Sequence, residues 1–307
     1  MKKILYIPLD YQIGAQKDLF EGLCNFFETK FYSGVSDAIN FCPDYIYVQS
    51  NVIPATELSQ IKDKTNAFIF QWTGDCREDL LPDVMAYKDV CDLTLLACGL
   101  AQKDMYEEAL NHPVLYLQHG VANWSFRDVD LSTRTNYDIK FIGNAYNHFS
   151  GAIERNELCK ILSAEFESFE VIGSGFNLPE FRNSRTVPFK DVFDIYNKSY
   201  IGISSSIFND KKGYWSNRTL DIMASGTCCL VRYVDKLEET FTDMVDCVFF
   251  YSNQDAVDKI KMLIENENLR NEIAQNGQRK VANFHTYIKR AEEIKLILES
   301  FNNGNEG

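Results

Sequence analysis

No stretch of this sequence stays apolar for the roughly 20 residues that a bilayer-spanning helix needs, so stable membrane insertion is not expected. An excess of positive charge is missing too. Against 44 acidic residues stand 31 basic ones, a formal charge of −13, which argues against broad attraction to nucleic acid or anionic lipid while leaving a local basic groove open. There is no C-x-x-C pair and no close pair of histidines, so the nine cysteines do not form a metal-ligand pattern. An odd number of thiols without such spacing fits buried, reduced side chains and a cytoplasmic setting. Sequons at Asn123, Asn197 and Asn217 are chance matches in that setting. The opening “MKKILYIPLDYQIG” has an apolar run too short for a secretory leader and is expected to be a first buried strand. No internal sequence repeat accompanies the pattern described next.

What is present is 307 residues, 45% of them apolar, enough to fill two domains. Short apolar runs alternate with longer helical patterns: “KILYIPL”, “QKDLFEGLCNFF”, “DYIYVQS”, “ATELSQIKDK”, “NAFIFQWTGD” and onward to “VLYLQHG”. Such alternation predicts an α/β fold with a parallel sheet covered on both faces. It pauses over residues 121 to 137, polar and aperiodic, and restarts at “DIKFIGN”. The division expected is a Rossmann-like domain over 1–125, a second over 126–285, and a C-terminal helix and tail over 286–307.

Ligands of open α/β sheets sit beyond the carboxyl ends of the strands, so the loops there hold the candidate residues. In the first half these are “PLDYQIG”, which ends on Gly14, “QWTGDCRED” with Asp75, and “QHGVAN” with His119. In the second half they are “IGNAYNH” with Asn144, “IGSGFN” with Gly173, Ser174 and Gly175, and “ISSSIFND” with Ser204 and Ser205. Asp75 suits either a general base for a hydroxyl or the N-cap of a short helix. His119 suits contact with a sugar or phosphate, or a structural place at the hinge. Trp72 offers a flat stacking surface or a piece of core.

The stretch “GYWSNRTLDIMASG”, Gly213 to Gly226, carries the most information. Ser216 or Asn217 suits an N-cap, “RTLDIMA” a helix and Gly226 its stop. Arg218 and Asp221, three apart, share a face. One reading pairs them with each other; the other places a diphosphate on the helix N-terminus and Arg218, with Asp221 holding a ribose diol. Asp128 and Asp130 match a D-x-D metal motif, but they lie in the linker, and no metal site is assigned.

The same stretch resembles the C-terminal, nucleotide-sugar half of GT-B glycosyltransferases, in particular the spore-protein-like branch of the glycosyl transferase group 1 families, with their N-x-R-x-x-E-x-x-A-x-G pattern. Here Asn217 falls one residue short of that spacing, Arg218 is the Arg, Asp221 takes the Glu place, and “MASG” closes the match. “FIGNAYNHFSGAIERNEL” is similar to the strand, polar loop and Arg-bearing helix that begin the family's C-terminal domain, and “IENENLRNEIAQNGQRKVANFHTYIKRAEEI” to its tail. One departure stands out: retaining relatives carry a further Glu eight residues before the second, where this chain has Gly213, leaving Lys211, Lys212 or Tyr214 as substitutes.

The resemblance implies a GT-B fold, two Rossmann-like domains facing across a cleft with C-terminal helices crossing back to the first, and a metal-independent transfer of sugar from a UDP- or GDP-linked donor to an acceptor hydroxyl. It needs no cofactor beyond that donor substrate. Arg218 would neutralise the departing diphosphate, with Asp221, Asn217, Tyr214 and the glycine and serine loops around the nucleotide. Glycan, protein, metabolite and hydroxymethylated DNA base all stand as acceptors, the last kept open by Trp72, Arg77, Trp124, Arg127 and Arg134. A binding module without catalysis is the alternative that Gly213 favours, and an epimerase of the same architecture is a weaker third.

Overall fold

In “KILYI” successive side chains point to opposite faces, and every one from Ile4 to Ile7 is buried, as a strand covered on both sides requires. The protein is described by a computed structural model over residues 1–9, 14–49, 51–74, 76–128, 138–176, 181 and 185–303. It divides into two compact units: unit 1, Met1–Ala122 with Thr286–Gly307, and unit 2, Asn123–His285.

In unit 1, strands β1 (Lys3–Ile7), β2 (Glu28–Phe31), β3 (Tyr45–Val48), β4 (Phe68–Thr73), β5 (Leu93–Leu96) and β6 (Val114–Tyr116) form one parallel sheet in the order β2-β1-β3-β4-β5-β6. The helices between them are α1 (Gly14–Leu23), α2 (Val35–Phe41), α3 (Ala55–Thr65), α4 (Pro82–Met85) and α5 (Leu100–Ala109). One face packs Ile4, Tyr6, Tyr45 and Tyr47 against Leu19 and Leu23 of α1; the other packs Leu5, Ile7, Ile46 and Val48 against Leu58 and Ile61 of α3. Tyr6 and Tyr47, neighbours across β1 and β3, stack at 4.7 Å. The last helix of the chain, α11 (Tyr287–Asn303), lays Tyr287, Ala291, Ile294 and Leu298 on the α1 face of this sheet, the return to the first sheet that the GT-B resemblance implies.

Unit 2 repeats the plan with β7 (Ile139–Ile142), β8 (Phe169–Ile172), β9 (Ile201–Ser204), β10 (Cys228–Arg232) and β11 (Val248–Phe250) in the order β11-β10-β9-β7-β8, all parallel. Its helices are α6 (Ser150–Glu165), α7 (Val192–Asn197), α8 (Arg218–Ala224), α9 (Asn253–Glu265) and α10 (Glu267–Phe284). In each sheet the strand order reverses once next to the first strand, between β1 and β3 in unit 1 and between β7 and β9 in unit 2. Those switch points are where the ends of adjacent strands part and leave room for a ligand.

Seven of the nine cysteines are buried, whereas Cys24 and Cys42 are exposed, a correction to the expectation of buried thiols throughout. Both lie just past the ends of short helices, where the apolar pattern has already stopped. Among the described residues, no helix is long and apolar enough to cross a membrane.

Candidate nucleotide site in unit 2

Helix α8 begins where the sequence pattern places it, and its first side chain bridges the unit 2 switch point. Arg218 Nε donates to the carbonyl of Ile142, which ends β7, at 2.5 Å, and Nη1 donates to the carbonyl of Ser205, just past β9, at 2.9 Å. Its guanidinium lies 4.7 Å over the ring of Phe141 and so close to Gly143 that a Cβ there would fall 2.4 Å from Nη2. Arg218 therefore does not pair with Asp221, and the reading in which the two merely satisfy each other is set aside.

A second arginine arrives from the other side. Arg155, in the middle of α6 and 2% exposed, donates from Nη2 to the carbonyl of Asn144 and lies 5.4 Å over the same Phe141 ring and 6.0 Å over Tyr146. Its Nε is buried with no hydrogen-bond partner. Burial, with the like charge of Arg218 beside it, pushes the Arg155 guanidinium down to about 10, which still leaves it charged at neutral pH. Two like charges flank one phenyl ring, and among the described residues neither has a carboxylate in ion-pair contact. Buried charge is stable only when compensated, so this arrangement is suited to an anion.

The loops around the arginines are laced together. Asn144 Oδ1 accepts from the Ser174 backbone N–H at 3.1 Å and from its hydroxyl at 2.8 Å, and Ala145 N–H donates to Ser174 O at 2.8 Å. Gly173 has φ +150°, and a Cβ there would meet the Gly143 carbonyl at 1.8 Å, so the close approach of the β7 and β8 loops depends on glycine. Ser204 shares a hydrogen bond with Thr219 of α8 at 2.8 Å, and Ser205 contributes its carbonyl to Arg218. Tyr214 packs edge-on to Phe208 at 6.3 Å.

The helix N-terminus differs from expectation. Asn217 occupies the N-cap place without a side-chain cap bond, and the early N–H groups are already taken: Arg218 N by Ser216 Oγ (3.3 Å), Thr219 N by Ser216 O (3.0 Å), and Leu220 N and Asp221 N by Asn217 O (2.9 and 3.1 Å). Positive potential at this end thus comes chiefly from the two guanidinium groups rather than from free N–H groups. Asn217 Oδ1 is buried without a hydrogen-bond partner.

Asp221 is 8% exposed, and burial raises its carboxyl from the ordinary 3.8 to about 7, with Arg218 pulling the other way. The folded chain therefore keeps a proton that the unfolded chain has released. This contribution to stability is complete below pH 3.8 and is lost as pH rises through about 7. Urea unfolding at pH 5 and pH 8 is expected to show Asp221→Asn losing less stability than the parent on that rise, by up to ~1.4 kcal/mol per pH unit. Identical slopes would place a charged, compensated carboxylate at this site.

The place of the first acid in retaining relatives is filled by a glycine that the backbone demands: Gly213 has φ +71° and its N–H donates to Asp235 O at 2.8 Å. Lys211 and Lys212 pair weakly with Asp210 (3.8 Å) and Asp235 (4.0 Å).

The remaining sequence candidates lie elsewhere. Gly14 opens α1 and His119 follows β6, both in unit 1, whereas Asn144, Gly173, Ser174, Gly175, Ser204, Ser205, Tyr214, Asn217, Arg218 and Asp221 all belong to unit 2. The His119 ring packs on Trp72 at 5.3 Å and against Gly74, and its carbonyl accepts from Arg290 at 3.1 Å. Trp72 is core, with its indole N–H donated to Leu117 O at 2.9 Å. Asp75 and Asp130 lie outside the described residues, as does Arg134. Among the described residues, no three His, Cys, Asp or Glu side chains converge as a metal site. Sequence reasoning touched Arg155 and Gly143 only as parts of the stretch “FIGNAYNHFSGAIERNEL” and gave neither a place in the site. The signal for Arg155 was its register, since it falls among Ala152, Leu158, Cys159 and Leu162 on the buried face of α6.

Residues 131–295, just over half of the chain, match the protein family described as “Glycosyl transferase-like”. Among solved structures, sucrose-phosphate synthase from Thermosynechococcus elongatus superposes with a TM-score of 0.66 at 10% identity, covering 99% of this chain and 100% of that one. HepE from Anabaena, solved with UDP and glucose, gives 0.66 at 12% identity, covering 98% and 100%. A glycosyltransferase from Rickettsia africae gives 0.66 at 10% identity, covering 97% and 98%. No curated protein sequence matches the chain. At such identities the structural likeness establishes the fold, which is GT-B.

Proposed function

The chain belongs to the glycosyl transferase-like family, and from that premise we propose that it moves a sugar from a nucleoside diphosphate sugar to an acceptor hydroxyl, with the diphosphate held in unit 2 at the β7/β9 switch point. The observation that carries this reading is the pair Arg155 and Arg218, two guanidinium groups without carboxylate partners among the described residues at the carboxyl ends of the switch strands. UDP in the HepE complex supports a uridine diphosphate donor.

In transfer, the bond from the anomeric carbon to the diphosphate oxygen breaks as the acceptor oxygen bonds that carbon, and negative charge grows on the leaving diphosphate. Arg218 and Arg155 are set in place by backbone carbonyls before that charge appears, so they stabilise it with little reorganisation. Asn217 Oδ1 and the Asp221 carboxyl offer acceptors for ribose hydroxyls. Asp75 remains a proposed base for an inverting course. A second reading, nucleotide-sugar binding without turnover, is favoured by Gly213 in the first acidic place.

Because guanidinium groups supply the charge that a divalent ion would otherwise provide, transfer from a UDP-sugar, followed by released UDP, is expected to persist in EDTA. Activity lost on chelation and restored by Mn2+ or Mg2+ would refute metal independence. UDP that binds without any sugar release from a panel of UDP-sugars would favour the binding module.

A further inference from the structure

We propose that Phe141 is a positioning residue of the unit 2 site: its ring holds the guanidinium groups of Arg155 and Arg218 together at the end of β7, and thereby sets a preference for diphosphate over monophosphate. The nucleotide rests on the glycosyl-transfer reading above; the part the ring plays in anion binding does not.

Strand alternation turns Phe141, with Ile139, into the core of unit 2, and the side chain is fully buried. Arg218 of α8 places its guanidinium carbon 4.7 Å from the ring centroid and Arg155 of α6 places its own at 5.4 Å, both within cation–π reach. Two of the carbonyls that seat these groups follow in the same stretch of chain: Ile142 O accepts from Arg218 Nε and Asn144 O from Arg155 Nη2. One strand end thus fixes both cations. Phe176 meets the Phe141 ring at 6.0 Å and an interplanar angle of 76°, an edge contact that holds the ring in its own orientation. Gly143 leaves the room this packing needs, since a Cβ there would stand 3.0 Å from the tip of the ring as well as 2.4 Å from Arg218 Nη2.

Burial lowers the Arg155 pKa, and the charge of Arg218 lowers it further, so the two guanidinium groups repel each other across this ring. A long side chain relieves such repulsion by swinging its head toward water. The electron-rich face of the phenyl ring attracts both groups and opposes that motion. When the ring holds them less firmly, either group drifts before a ligand arrives, and the work of bringing it back is subtracted from the binding energy. That loss is largest for a ligand that needs both cations at once. A diphosphate, with two linked phosphates, engages the pair, whereas a monophosphate engages one guanidinium and gains little from the second.

The test replaces Phe141 in the full chain with 3-fluorophenylalanine and with 3,5-difluorophenylalanine, which draw electron density from the ring face at nearly constant shape and leave the tip beside Gly143 unchanged. UDP, UMP and inorganic pyrophosphate are titrated calorimetrically into each protein. Affinity for UDP and for pyrophosphate is expected to fall stepwise, about two- to fourfold per fluorine, while UMP changes less, so the preference for UDP over UMP narrows along the series. Phe141→Leu, first shown folded by circular dichroism, removes the ring face altogether and should lose at least as much UDP affinity as the difluoro protein. If that variant does not fold, the fluorinated proteins decide alone. Equal losses for UDP and UMP, or parental UDP affinity in a folded Phe141→Leu, overturn the proposal. UDP bound with the same affinity across the fluorine series also overturns it and leaves the nucleotide reading standing. Pyrophosphate bound with the fluorine dependence, in a chain that does not bind UDP, supports the ring's role and counts against the nucleotide reading alone. No binding of either to the parent overturns both.

Discussion

Arg218→Ala is expected to weaken UDP binding by about 1.5 to 3 kcal/mol, roughly 10- to 150-fold, the worth of a charge-assisted contact. The change removes a guanidinium that joins the ends of β7 and β9 through Ile142 O and Ser205 O, so a modest loss of stability should accompany it. Arg218→Lys separates the two effects. It keeps the charge but cannot span both carbonyls, and should fall between parent and alanine variant in affinity. Calorimetry on the three proteins, each first shown folded by circular dichroism, is the measurement. Equal UDP affinity in all three would reduce Arg218 to a bolt between strands.

Gly173→Ala should give the largest change in stability, about 2 to 4 kcal/mol, because the added methyl meets a backbone carbonyl rather than a side chain that can turn away. The Gly143 carbonyl cannot retreat without pulling on Ile142 and Asn144, whose carbonyls seat Arg218 and Arg155, so nucleotide affinity should fall with stability. Trp215, 3% exposed beside Phe241 and His285 in unit 2, provides a fluorescence report of unfolding in urea. A midpoint within error of the parent would mean that the β7 and β8 loops do not approach as closely as described.

Much of the fold was legible because parallel strands buried on both faces leave unbroken apolar runs such as “ILYI” and “CCLV”. Helix α8 was legible to the residue, since an abrupt change from polar to small apolar side chains and a terminal glycine bracket it. Its electrostatics were not. Spacing cannot reveal that Ser216 and Asn217 consume the first N–H groups, nor that Arg218 turns toward Ile142 and Ser205 instead of Asp221. Arg155 entered only with the Arg-bearing helix of the resemblance and received no role, because an arginine inside a helix is usually solvated and only its register among apolar neighbours marks it as buried.

Hydrogen exchange with and without UDP tests the location of the nucleotide site most directly. Protection is predicted over residues 142–145 and 173–175, around Arg155, and from Ser205 through Asp221, all in unit 2 and all adjoining the two arginines. Protection confined to unit 1, or none with either UDP or GDP at saturating concentration, would contradict a diphosphate site built on Arg155 and Arg218.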